Sequence, residues 1–427
     1  MKWKLIPALI LILFTQFVYA ELPDGFVDVD EMRRAFGLSV NAAKPYEKEH
    51  GFAVSGYVET LFQSYSSTVH WIPTNIHPVA EDFPSHKDAE FPLNRAVLFA
   101  GYRWSDKLVI NSEFRVDRDG LERGLATFPA LYDTTHIDTN FNVDLAYADY
   151  IVNRSFVIRG GIILVPMGLI NEMHTPQEYL GTRTGYADIY TIPAIWHALG
   201  IGFAGRKGSF NYRGYVINSL NPTNFTEMGW RAGREITWDT ISHPALVGRI
   251  DWNPSPLGSL GGSYYWARPQ VYGLENNFDQ TFRTDMMEFH GEFHWLGAFA
   301  RAEYAKGLVE NSPQLNLILQ TKNLNGIGKR IVGGYVEGGW NILYKNSNGK
   351  MIMPYMRGEA ANSQDALPPQ SLALGLLKNH YVDFIIWTWG VEIRPIRELS
   401  IKAEYVAPHD QYQIFWKEFH LGASYTF

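Results

Sequence analysis

Residues Glu418 to Phe427 read E-F-H-L-G-A-S-Y-T-F. In an extended strand Phe419, Leu421, Ala423, Tyr425 and Phe427 share one face, while His420, Gly422, Ser424 and Thr426 share the other. One face is apolar and ends on an aromatic ring; the other is small and polar. A strand with lipid on one side and a wet lumen on the other calls for this pattern. A half-buried strand at the edge of a soluble domain would also alternate, but it has little need of a bulky ring as its final side chain.

The opposite end agrees. Lys2 and Lys4 precede the apolar run Leu5 to Phe14, and Val18 and Ala20 place small residues where a signal peptidase inspects the chain. The run is too short to cross a bilayer comfortably as a helix. Residues 1–20 therefore read as a cleaved signal peptide, 21–50 as a periplasmic N-terminal extension, and 51–427 as the folded body. The extension has an amphipathic piece around Asp30 to Phe36; a tail, a short helix and a partial plug are all open. There is no cysteine, which excludes a lipoprotein anchor and any disulfide.

About 407 residues remain after cleavage, enough for two or three soluble domains. No hinge, charge block or low-complexity tract divides them. Aromatic residues make up 15% of the chain and glycine is frequent, yet mean hydropathy is slightly negative. No stretch after the signal peptide is apolar for eighteen residues, so helical spans are excluded. Loss of Lys2 and Lys4 takes the net charge from −7 to about −9. That balance argues against a nucleic-acid partner.

Alternating segments lie near 52–63, 94–103, 107–117, 143–152, 155–163, 197–205, 209–218, 245–252, 257–267, 285–294, 298–307, 331–344, 351–360, 381–394, 399–406 and 418–427. Sixteen is an even number, as a closed antiparallel barrel in the bacterial outer membrane requires; fourteen and eighteen are the neighbouring solutions. Short connections at Ser105-Asp106, Asn153-Arg154, Lys207-Gly208, Pro254-Ser255, Leu296-Gly297, Asn348-Gly349 and Pro395-Ile396 carry turn chemistry. They alternate with long ones. The fold class read from this is all-β: a closed antiparallel transmembrane barrel of about sixteen strands, with short periplasmic turns and long extracellular loops. Trp104, Trp252, Trp266, Trp295, Trp340 and Tyr344 sit near strand ends, where membrane barrels carry aromatic girdles.

Phase assigns faces. Leu108, Ile110, Phe114 and Val116 oppose Asn111, Glu113, Arg115 and Asp117; Met287, Phe289 and Phe293 oppose Glu288, His290, Glu292 and His294; Leu399, Ile401, Ala403 and Tyr405 oppose Lys402 and Glu404. Alternating charge is costly in a dry sandwich and expected around water. The inward set includes Arg115, Arg159, Arg213, Arg249, Arg301 and Arg357. Acids match or exceed them: Glu59, Glu113, Asp251, Glu292, Glu303, Glu337, Glu359 and Glu404. A lumen of mixed charge favours water and small hydrophilic solutes without choosing phosphate. The arginines also serve, on a plainer reading, to neutralise neighbouring carboxylates.

Residues 159–221 contain R-G-G-I-I-L-V-P-M-G-L-I-N-E-M-H-T-P-Q-E-Y-L-G-T-R, then T-I-P-A-I-W-H-A-L-G-I-G-F-A-G, then F-N-Y-R-G-Y-V-I-N-S-L-N. This resembles porins of the phosphate-selective O/P superfamily: a corner at Gly161, Pro166 and Gly168, an I-P-x-x-W entry at Ile192, Pro193 and Trp196, and a V-x-N-x-L end at Val216, Asn218 and Leu220. The resemblance implies a sixteen-stranded outer-membrane porin, commonly a homotrimer in a Gram-negative bacterium. It implies a loop, about Val165 to Ile195, that folds inward and narrows the pore with Glu172, His174, Glu178 and Arg183. The C-terminal strand is similar to the closing strand of bacterial outer-membrane barrels. There the terminal aromatic, with Tyr425 and Phe427 in that place here, is an assembly signal for the barrel-assembly machinery. The expected partners are outer-membrane lipid, that machinery and a small hydrophilic solute or ion.

No cofactor is expected. Glu172, His174 and Glu178 match no standard metal-ligand spacing, so no metal site is assigned. No G-x-S-x-G elbow is present; although His290 and His294 share a face with Glu288 and Glu292, catalysis is not expected. A passive channel leads, with a blocked structural barrel or adhesin, and then a barrel enzyme, as the alternatives.

Overall fold

The described residues of the computed structural model are 29–67, 86–90, 93–118, 139–153, 155–234, 243–271, 280–319, 326–345, 349–370, 382–409 and 417–427. The signal-peptide reading of 1–20 lies outside them. Sixteen antiparallel strands form one closed sheet. They are β1 (Gly51–Ser67), β2 (Leu93–Arg103), β3 (Leu108–Arg118), β4 (Thr139–Asn153), β5 (Phe156–Leu164), β6 (His197–Lys207), β7 (Phe210–Ile217) and β8 (Ala245–Ser255), followed by β9 (Gly258–Ala267), β10 (Thr284–Trp295), β11 (Ala298–Val309), β12 (Arg330–Trp340), β13 (Met351–Ala366), β14 (Asp383–Ile396), β15 (Leu399–His409) and β16 (Lys417–Thr426). A further segment, His86–Glu90, pairs with the outer end of β1 and so prolongs the β2 position. Helices α1 (Val29–Phe36), α2 (Tyr186–Thr191) and α3 (Ser312–Leu319) are not part of the sheet.

Each strand pairs with its sequence neighbours, and β16 returns to β1 in the register Tyr57↔Thr426 to Ser66↔Lys417. Closure pairs the two edges of this sheet with each other. Phe427 extends the seam: Gly56 N–H donates to its carbonyl at 3.0 Å, and its own N–H donates to Gly56 O at 2.9 Å. The ring of Phe427 and that of Tyr425 are both exposed on the outer face.

The phase read from sequence holds in β3, where Asn111, Glu113, Arg115 and Asp117 are buried inside and Ile110 points outward. The outer wall is a continuous apolar surface, with Phe52, Ile201, Ile250, Phe289, Val336 and Trp389 all exposed. Water would penalise such a surface, and a hydrocarbon layer would not.

The structure corrects several boundaries. Pro254-Ser255 and Pro395-Ile396 belong to strands, and the turns fall at 256–257 and 397–398. Neither proline breaks pairing there, because both stand at hairpin ends, where the ladder has already run out of donors. Strand β12 stops at Trp340 rather than near 344, and the Asn341 side chain anchors the chain beyond it, its Oδ1 accepting from Leu343 N and Ile352 N; Asn348 of the expected turn lies outside the described residues.

Deleting Phe427 removes two backbone hydrogen bonds and an apolar ring from the closing seam. The expected outcome is a lower yield of folded, heat-modifiable protein in outer-membrane fractions, read by gel mobility with and without boiling. An unchanged yield would count against a role in assembly.

Candidate functional site: the occupied lumen

The loop between β5 and β6 enters the barrel. Val165 N–H donates to Trp196 O at 2.9 Å, one pairing step beyond the strands, and then the two arms part. Asn171 closes the neck: its amide donates to Val165 O (2.7 Å) and Trp196 O (2.9 Å), and its Oδ1 accepts from Trp196 N (2.6 Å). Gly168 adopts φ 73°, and a β-carbon there would lie 2.7 Å from Ile192 Cδ1 and 2.9 Å from a Glu303 carboxylate oxygen. Only glycine fits this corner. Gly161 has φ 133° within β5, and Pro166 is buried between the two glycines.

From the neck the loop crosses to the far wall. Leu169 N–H donates to Glu303 of β11 at 2.8 Å. Arg301 of β11 donates to Glu178 O (3.1 Å), and Arg394 of β14 to Gln177 O (2.6 Å). Lys402 of β15 donates to three carbonyls, Pro176 O (2.5 Å), Tyr179 O (2.6 Å) and Gly181 O (2.9 Å). Thr182 N–H donates to Glu404 of β15 at 3.1 Å, the Arg183 guanidinium reaches Gln63 of β1, and Ala187 N–H donates to Glu359 of β13 at 2.9 Å. Burial, and next the Glu303 carboxylate, push the Asp188 carboxyl on α2 well above the usual carboxylate range.

The six arginines read as inward from the sequence are all buried and paired. Arg115 lies 2.5 Å from Asp117 and 2.7 Å from Asp144. Arg159 holds Asp149 at 2.8 Å and lies over the Tyr147 ring. Arg213 bridges Glu172 and Asp251, and Arg249 holds Asp251 at 2.9 Å. Arg301 joins Glu292 (2.6 Å) to Glu337 (3.2 Å), and Arg357 pairs with Glu359 (3.2 Å). Glu113 meets His174 of the loop at 3.1 Å. His290, between Glu288 (2.6 Å) and Asp251 (2.7 Å), is a member of this buried network. His294 pairs with Glu292 at the short-turn rim.

Residues 29–50 occupy the short-turn mouth. Helix α1 packs on β6 and β7, and the turn at 44–47 packs on β1 to β3. Asn111 donates to Ala42 O (2.6 Å), Arg103 to Tyr46 O (2.8 Å) and Arg213 to Arg34 O (2.7 Å), while Tyr46 OH donates to Asp149 (2.7 Å). Phe36, Leu38 and Ala43 are fully buried. A β-carbon on Gly101 of β2 would lie 2.1 Å from Pro45 Cγ; the wall is relieved there to admit the segment. Arg33 joins this segment to Glu178 of the loop. From the long-loop side, Trp230 Nε1 donates to Thr191 O (3.0 Å) and Arg231 to Ala194 O (2.7 Å). A cleft remains between the β2–β3 wall (Asn94, Arg95, Arg115 and Asp117) and the loop (Tyr179, Thr182 and Arg183).

Sequence reasoning missed Arg95, which pairs with Glu59 and donates to His174 O (3.1 Å) and Tyr179 OH (2.9 Å). Its neighbours on the inward face of β2 are Val97 and Phe99, so the strand shows no clean polar side. Lys402 was legible as inward; its partners, backbone carbonyls, leave no trace in side-chain patterns.

No family model matches the chain. An uncharacterized protein of Aquifex aeolicus (strain VF5) is 24% identical over 386 residues, covering 87% of this chain and 78% of that protein. The fold is similar to that of the outer membrane channel DcaP of Acinetobacter baumannii (TM-score 0.52, 11% identity, 88% of this chain and 97% of that one). It is also similar to Salmonella typhi OmpF in complex with daunomycin (0.53, 9%, 90% and 99%). A loop L8 deletion mutant of OmpT, an outer membrane protein of Vibrio cholerae, gives 0.51 at 13% identity over 89% of this chain and all of that one. The chain thus has the sixteen-stranded barrel fold of outer-membrane channel proteins.

Substituting Gly101→Val sets a branched side chain against Pro45 and weakens the seat of residues 29–50. Faster tryptic cleavage after Arg33 and Arg34 is expected in the folded variant than in the parent. Equal cleavage rates would show that the segment does not depend on this contact.

Proposed function

We propose that the protein is an outer-membrane porin: a passive channel for small hydrophilic solutes or ions, exported with cleavage of residues 1–20. Its 29–50 segment lies at the periplasmic mouth and Val165 to Ile195 forms its constriction. The observation that carries this reading is the opposition of faces. An apolar outer wall suited to lipid encloses charged side chains and an inward loop, and the loop leaves a cleft against Arg95, Arg115 and Asp117. Lipid, the barrel-assembly machinery acting on the C-terminal strand, and two further copies of the chain are the expected partners. The kinship proposed is with the phosphate-selective O/P superfamily, through the Gly161, Pro166 and Gly168 corner. Phosphate preference is not part of the proposal, because the inward arginines are consumed by carboxylates. Catalysis is not part of the proposal.

One observation favours a second reading, a barrel without transport. Two segments from opposite mouths meet through Arg33 and Glu178, and together they occupy much of the lumen. Planar-bilayer recording separates the two readings. For a porin, the folded parent conducts in small steps with weak ion selectivity. Removing residues 173–184 raises the conductance, because resistance concentrates where the cross-section is least. Arg183→Gln shifts the reversal potential toward cations, by an amount that shrinks as salt rises. A folded parent that never conducts supports the blocked barrel.

A further inference from the structure

Glu113 on β3, Asp144 on β4 and His174 on the loop meet where the loop touches the wall. All three side chains are essentially inaccessible, and each offers a ligand atom within 4.8 Å of the others. Asp144 reaches this place through an irregularity. Glu113 pairs with Leu145 and Phe114 with Val143, so Asp144 is bulged out of the ladder and turned inward beside Leu145. Bulges re-aim side chains in this way, often beside functional sites.

His174 is oriented as a ligand would be. Its Nδ1 lies 3.2 Å from Asn171 O. A carbonyl only accepts, so Nδ1 carries a hydrogen, and Nε2 is turned toward Glu113 Oε1, 3.1 Å away. A cation seated beside this pair would meet one ring nitrogen and one carboxylate oxygen. Glu113 Oε2 has no hydrogen-bond partner among the described residues.

The local charge points the same way. Three carboxylates, Glu113, Asp144 and Asp117, crowd a buried place, with the Arg115 guanidinium against both aspartates and the His197 ring 3.9 Å from Asp144. Carboxylates are costly to bury without cations beside them, and a divalent cation among Glu113, Asp144 and His174 would add positive charge where they converge.

We propose that Glu113, Asp144 and His174 form a binding site for one divalent transition-metal ion, which ties the constriction loop to the β3–β4 wall. One imidazole and two carboxylates suit zinc or manganese better than calcium or magnesium, which prefer all-oxygen shells. Zinc takes such ligands at about 2.0–2.2 Å, so adjacent donors in a tetrahedron stand roughly 3.3–3.6 Å apart. The His174–Glu113 separation needs only a slight opening to reach that span, with water as fourth ligand. The site stands whether or not the lumen conducts.

The test uses the full mature protein, folded in detergent and stripped with a chelator. It is titrated with Zn²⁺ by calorimetry and with Co²⁺ by visible absorption. One equivalent of Zn²⁺ is expected, with Co²⁺ giving the visible bands of a four- or five-coordinate nitrogen–oxygen site. His174→Gln and Asp144→Asn each weaken binding at least ten-fold, whereas His294→Gln, at a half-exposed rim position, leaves it unchanged. Heat-modifiable mobility identifies the variants that fold; if neither loop nor wall variant does, the stoichiometry and Co²⁺ spectrum of the parent decide. Absence of stoichiometric binding by the parent, a Co²⁺ spectrum of the hexa-aquo ion alone, or equal affinity in a folded His174→Gln or Asp144→Asn variant overturns the proposal.

Discussion

The structure depends on how the backbone of Val165 to Ile195 is satisfied inside a barrel that offers it no strand to pair with. A buried carbonyl or N–H without a partner costs about 1–3 kcal/mol, and a loop of this length would otherwise leave many. The wall supplies the partners as ions: Lys402, Arg301 and Arg394 donate to loop carbonyls, while Glu303, Glu404 and Glu359 accept from loop N–H groups. The mixed charge of the lumen follows from this need. A wall of one sign could satisfy either the carbonyls or the N–H groups, but not both.

The same requirement explains why the arginines are poorly placed to select anions. Arg159, Arg213 and Arg249 sit between the 29–50 segment and the loop, held by Asp149, Glu172 and Asp251. Their charge is spent locally, in the sense that field lines end on partners within hydrogen-bond reach. Near the cleft, Arg115 faces Asp117, while Arg183 comes from the inward loop and Arg231 from the long-loop side.

The alternation in β3, β10 and β16 was legible because lipid and lumen impose opposite demands on successive residues. It failed in β2, where the inward face carries Val97 and Phe99 under the N-terminal segment. An inside lined with protein looks like an outside lined with lipid. The bulge at Asp144 was invisible for a related reason: one extra residue shifts the phase locally, and a period-two reading absorbs it as a boundary error. Asn171 carries no periodic signal, since its role is to close a neck by reaching Trp196, 25 positions further along the chain. The proline-bearing turns were misplaced by two residues because proline marks the end of pairing from either side of a hairpin.

The contacts that hold the loop join residues very far apart along the chain: Lys402 to Pro176 across 226 positions, and Thr182 to Glu404 across 222. Folding rate falls as such separations grow, because chain entropy must be surrendered before distant contacts return any gain. Hairpins such as β10–β11 need no such search, so local pairing of the wall can run ahead of the interior. The seam between Tyr57 and Thr426 spans a wider gap still, so closing the wall and filling it are both distant searches, and a sequence with a shorter loop eases the second of them even where its final state is less stable.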